Sequence, residues 1–172
     1  MLLDIDHSKI LLNAALETGL PVWVGLSCCD SKFDNSVIGR NFRAEKEKSL
    51  IYDENMYKDQ PKYLPEDKII LLEDIIKSLT SLGGDVYGIM HTWFQDSISG
   101  LKILKNNWKG PIMFYPEIHK FDTNTHKAII TMTEEEFSNS ILELIDDQIQ
   151  IVGGCCGVND KHLKKLIQSI SE

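Results

Sequence analysis

The sequence predicts an α/β fold. Helical and strand-like segments alternate along the chain, the strand candidates are short apolar runs, and the segments between them repeat apolar residues at helical spacing. Short buried strands separated by helices imply a parallel sheet with right-handed crossovers. One leading helix is followed by four strand–helix units, enough for an open sheet or for half of an eight-stranded barrel. No linker divides the chain, so residues 1–172 read as a single domain.

The leading helix spans Ser8 to Thr18, with Ile10, Leu11, Ala14 and Ala15 at helical spacing and Gly19 as its stop signal. Pro21 to Ser27 is an apolar run led by proline, as a buried parallel strand requires. From Cys28 to about Glu66 the chain turns polar and irregular. A connection of that length after a strand predicts a rim loop that covers a site. Ile69, Leu72, Ile75, Ile76 and Leu79 then mark an amphipathic helix closed by Gly83 and Gly84. Asp85 to Met90 reads as a strand, Phe94 to Asn106 as a helix, and Pro111 to Tyr115 as a strand ended by Pro116. Thr133 with Glu136 has the form of a capping box, and Phe137, Ile141, Leu144 and Ile145 supply the inner face of the helix it opens. Gln150 to Val152 is the last strand. Asp160 opens a final helix with Leu163, Leu166, Ile167 and Ile170 inward.

Charge narrows the partners. The chain has 18 Lys and Arg against 26 Asp and Glu, a formal net charge of −8. Such a surface repels phosphate backbones and anionic headgroups, which argues against nucleic acid and membrane surfaces as partners. No apolar run reaches the roughly 20 residues of a membrane span. The start, MLLDIDHSK, carries acidic residues where a signal peptide needs basic ones, so the expected location is cytoplasmic.

The four cysteines form two adjacent pairs, Cys28–Cys29 and Cys155–Cys156. In a reducing compartment, clustered thiols point to metal or reactivity rather than to a disulfide framework. For Cys28 and Cys29 the competing reading is that of small buried hydrophobes. The second pair lies in Val152-Gly153-Gly154-Cys155-Cys156-Gly157, between a strand and a helix. Adjacent side chains of a strand point to opposite faces, so two neighbouring sulfurs share one ligand only if the backbone leaves β geometry. Glycines on both sides are free to adopt the positive φ that such a departure takes. The motif suits a vicinal dithiolate clamp. It is also compatible with a tight turn, or with a phosphate cradle on backbone amides, although thiols add nothing to phosphate binding.

Gly153 to Gly157, followed by Asn159-Asp160-Lys161-His162-Leu163, resembles the GGCCG signature of the homocysteine S-methyltransferase family. Thr18 to Ser27 resembles that family's fifth strand, Asp85 to His91 the end of its sixth, and Ile112 to Glu117 the end of its seventh. The resemblance covers nearly the whole chain and implies the C-terminal half of a (β/α)₈, or TIM, barrel. It also implies zinc at the C-terminal rim, held by three cysteines, two of which correspond to Cys155 and Cys156. Where the third would stand, this chain has His91 after Met90. Histidine is a competent zinc ligand, so the implied set is His91, Cys155 and Cys156 with one open position. The alternative for His91 is a hydrogen-bonded core histidine or another pocket role.

The activity implied is zinc-dependent methyl transfer to the thiol of homocysteine or a related thiol. The metal would hold the substrate as thiolate for attack on the methyl group of a positively charged donor. Tyr115, Glu117 and His119 should face the same rim, as should Ser27 and Cys28. Glu117 would hold an amino group of substrate or donor, or else be a solvated loop carboxylate. His7, His126 and His162 read as surface residues. Two other functions compete: a non-catalytic metal- or ligand-binding half-barrel, and thiol redox chemistry at Cys155–Cys156. Four parallel strands leave two sheet edges to cover, so the expected partners include a second copy of the chain, or a complementary chain carrying the N-terminal half-barrel.

Overall fold

The structure is a computed structural model that describes residues 5–30, 36–39, 70–122, 125 and 127–171. In chain order the elements are α1 (Ile5–Leu16), β1 (Trp23–Leu26), β2 (Cys28–Asp30), β3 (Val37–Gly39), α2 (Leu72–Thr80), β4 (Val86–Trp93) and α3 (Phe94–Asn107). Then follow β5 (Ile112–Glu117), β6 (His119–Asp122), β7 (Lys127–Ile130), α4 (Glu134–Leu142), β8 (Ile149–Val152) and α5 (Asp160–Ser171). β1, β4, β5 and β8 form one parallel sheet in that order, flanked by helices, which is the α/β architecture of a partial barrel. Among the described residues no helix is long and apolar enough to cross a membrane.

The alternation of each strand sorts its side chains between two faces. Tyr87 and Ile89 of β4, Ile112 and Phe114 of β5, and Ile149 of β8 join one core with Leu72, Ile75, Ile76 and Leu79 of α2 and with Leu101 and Leu104 of α3. Phe94 holds α3 against this core, edge-on to both Phe114 and Phe137 at centroid distances of 6.1 and 6.4 Å. Burying each such ring contributes about 1.5–3 kcal/mol. The opposite face is built from Gly25, Gly88, Met90 and Met113. At Gly88 a β-carbon would meet the Met113 carbonyl oxygen at 2.3 Å, so only glycine lets β4 lie this close to β5.

Several elements differ from the sequence expectation. β5 runs through Pro116 instead of ending there: proline lacks a donor, but its carbonyl oxygen accepts a hydrogen bond from the Cys155 amide at 3.0 Å. Two antiparallel pairs, β2–β3 and β6–β7, were not expected. Their strands of three or four residues are too short for alternation to be recognised. Most of the expected rim loop lies outside the described residues. α5 buries His162 and Leu166, whereas Ile167 and Ile170 are exposed, so the inward face is rotated from the one expected.

Candidate metal centre

Four side chains converge at the C-terminal ends of β4, β5 and β8: His91, Glu117, Cys155 and Cys156. Their potential ligand atoms all lie within 4.8 Å of one another. His91 Nδ1 is 3.5 Å from Cys155 Sγ, 4.0 Å from Cys156 Sγ and 3.5 Å from Glu117 Oε2. The two sulfurs are 3.9 Å apart. The carboxylate is buried, and the imidazole is about one-third exposed.

A distortion at the end of β4 aims His91. Strict alternation would send its side chain to the same face as Ile89, into the helix-covered core. Instead His91 has φ = 50°, the left-handed region that non-glycine residues rarely enter, and the pairing with β5 shifts register between Met90 and Trp93. Buried hydrogen bonds hold this kink. The Thr92 hydroxyl donates to the Met90 carbonyl and accepts from the Cys28 amide, both at 3.0 Å. The Ser97 hydroxyl packs against the Thr92 and Trp93 carbonyls at 3.0 and 2.7 Å.

The cysteine loop is held by a backbone ladder that continues past the end of β5. Gly153 donates to Phe114, Cys155 to Pro116, and Ile118 donates back to Cys156, at 3.1, 3.0 and 2.9 Å. Glu117 sits between the last two of these bonds. Only Gly157 has the positive φ expected of the glycines (90°). Gly153 and Gly154 are required for space: a β-carbon would meet the Tyr115 ring at 2.6 Å in the first case and Val158 at 2.2 Å in the second.

The thiol of Cys156 is pushed above its ordinary pKa, first by burial, then by the neighbouring Cys155 and by the charge of Glu117. These groups crowd acidic functions together, which a cation relieves. The spacing of His91 and the two sulfurs also fits one: tetrahedral zinc with bonds of 2.0–2.3 Å places its ligand atoms about 3.3–3.8 Å apart, within a few tenths of the 3.5, 3.9 and 4.0 Å between them.

The remaining candidates fall in different places. Tyr115 packs its ring on Gly153, beside the cluster. Ser27 is buried at the end of β1, and its hydroxyl has no hydrogen-bond partner among the described residues. Trp93 Nε1 and His119 Nδ1 are in the same position. Cys28 is a buried packing group under α3, where a β-carbon at Gly100 would come within 2.5 Å of its sulfur. His7 is exposed, and His126 lies outside the described residues. His162, expected at the surface, is buried. Its Nε2 lies 3.3 Å from the Met132 carbonyl oxygen, its Nδ1 lies 2.9 Å from Asn159 Oδ1 and 3.3 Å from the Asn159 amide nitrogen, and its ring stands edge-on to Phe137 at 5.7 Å. The positioning roles of Thr92 and Ser97 have no signal in the sequence, since a lone hydroxyl residue carries none.

An α/β partial barrel with thiols, an imidazole and a carboxylate gathered at the C-terminal ends of its strands defines a class in which chemistry is done at that rim. The chain belongs to the homocysteine S-methyltransferase family, whose model matches residues 71–170, more than half of the chain and all four side chains of the cluster. Membership places it in an enzyme family of methyltransferases acting on small molecules. Comparison with curated proteins finds no match.

Proposed function

We propose that this chain is a cytoplasmic, single-domain protein that transfers a methyl group to the thiol of homocysteine or a related thiol, using zinc. The observation that carries the reading is the convergence of His91, Cys155 and Cys156 at the end of the sheet where barrels of this kind bind substrates. These three residues would hold the metal. Zinc supplies Lewis acidity that keeps a bound thiol deprotonated near neutral pH. The substrate sulfur then attacks the donor methyl in line. A sulfur–carbon bond forms, the carbon–onium bond breaks, and its electron pair stays with the departing donor, which leaves neutral. Tyr115 walls the site, and Ser27, with Trp93 and His119, offers buried polar atoms that a substrate's own polar groups would satisfy. Such a methyl transfer is a step of methionine biosynthesis when the acceptor is homocysteine.

A non-catalytic metal site is the second reading. Glu117 favours it, because four protein groups suffice to close a tetrahedral shell. Elemental analysis tests the metal: wild-type protein should carry about one zinc per chain, and Cys155→Ser and Cys156→Ser should lose it. Methylation of homocysteine by an onium donor tests the reaction. Full zinc content in the double cysteine variant would overturn the proposal.

A further inference from the structure

We infer that Cys155 and Cys156 form a dithiol site for monosubstituted trivalent arsenicals, compounds with one carbon group and two exchangeable positions on arsenic. Both thiols are free, Cys156 is exposed and Cys155 partly so. Their sulfurs stand 3.9 Å apart, and both lie within 4.0 Å of His91 Nδ1. Thiolates are soft donors that suit a soft centre, and a small rotation of the two side chains lets one arsenic bond both. The molecule contains its own comparison. Cys28 and Cys29 are also adjacent, but they lie in β2, paired with Gly39 and Ile38 of β3, where neighbouring side chains point to opposite faces. They are 1% and 6% exposed, and the Cys28 thiol donates to the Asp96 carbonyl at 3.7 Å. One arsenic cannot reach both of those sulfurs while the strand persists. Cys155 and Cys156 lie beyond the end of β8, in a turn held by three backbone bonds: Cys155 N–H to Pro116, Ile118 N–H to Cys156 and Val158 N–H to Cys155.

The step is a condensation and involves no oxidation. Two arsenic–sulfur bonds form, the two bonds from arsenic to hydroxyl break, and each thiol proton leaves with a hydroxyl as water. Arsenic stays trivalent throughout. Its carbon group and the two sulfurs fill its three bonds, so His91 and Glu117 take no part in holding it. The inference uses the two sulfurs alone and does not depend on the zinc reading. Sulfurs that hold arsenic are closed to a metal, so compounds of this class would also stop the methyl transfer proposed above.

The test uses the full chain, reduced and stripped of metal with a chelator, and phenylarsine oxide as the probe. Adducts are counted by native mass spectrometry, and their affinity is measured by competition with a small dithiol. Folded wild-type protein should take up about one phenylarsenic group per chain, and protein unfolded in urea about two, because unfolding frees Cys28 and Cys29 from the strand. Cys155→Ser and Cys156→Ser should each weaken binding by about a hundredfold, since a single arsenic–sulfur bond replaces a chelate. His91→Ala should bind the probe as wild type does while its affinity for zinc falls. Far-UV circular dichroism confirms that the variants fold. Undiminished binding in either serine variant, two adducts on the folded chain, or loss of binding in His91→Ala would overturn the inference. Absence of zinc from the wild-type protein would sink the zinc reading and leave the arsenical result untouched.

Discussion

His91 holds its place in the cluster at a backbone cost. A non-glycine residue at φ = 50° carries strain of about 1–3 kcal/mol, which the bonds from Thr92 and Ser97 sustain. Glycine has no such penalty. His91→Gly should therefore raise the stability of the metal-free protein by about 1 kcal/mol in urea unfolding while lowering its affinity for zinc. His91→Ala keeps the strain and loses the imidazole, so it should lower metal affinity with no gain in stability. A less stable glycine variant would mean that the kink stores no strain. At this scale the cysteine pair was legible in the sequence, because two thiols among three glycines is a rare pattern with a chemical meaning. His91 entered the expected ligand set only through the family resemblance, because its aim depends on a register shift imposed by the neighbouring strand.

Among the elements, α4 has the most explicit start. The Thr133 hydroxyl accepts from the Glu136 amide at 3.2 Å, and the Glu136 carboxylate accepts from the Thr133 amide at 2.8 Å. The carboxyl of Glu136 is accordingly held below its ordinary pKa by the Thr133 backbone and side chain. Thr133→Ala should cost about 1 kcal/mol in equilibrium unfolding without changing zinc content. A loss of metal in that variant would show that α4 is coupled to the rim. The capping box was readable because its two partners are three residues apart and act locally. The inner face of α5 was misread for the opposite reason. Its apolar stripe is wider than the surface that α4 and the core offer, so His162 and Leu166 are taken in and Ile167 and Ile170 left out.

At the scale of the molecule, both flanks of the sheet carry exposed apolar side chains. Ile10 and Leu11 of α1 and Trp23 of β1 are 63%, 53% and 53% exposed on one side; Ile167 and Ile170 of α5 are 63% and 56% exposed on the other. β1 and β8 are the two edges of the four-stranded sheet. A second copy that pairs β1 of one chain with β8 of the other would cover both flanks and complete eight strands about a two-fold axis. Sedimentation across a range of concentrations should then give a dimer, and Trp23→Glu combined with Ile167→Glu should give folded monomers. A well-folded wild-type monomer at every concentration would eliminate that assembly.

The order of the helices and of the four strands of the parallel sheet, and the cysteine loop, were determined by the sequence itself, because hydrophobic period, glycine and proline punctuation and adjacent thiols act over a few residues. Which groups meet was decided only by the tertiary structure. Glu117 was expected to face the rim, but its meeting with His91 depends on the ladder between β5 and the cysteine loop and on the kink in β4 that turns the imidazole toward it. Those contacts join residues 26 to 65 positions apart, and no local pattern encodes a distance that only strand pairing creates.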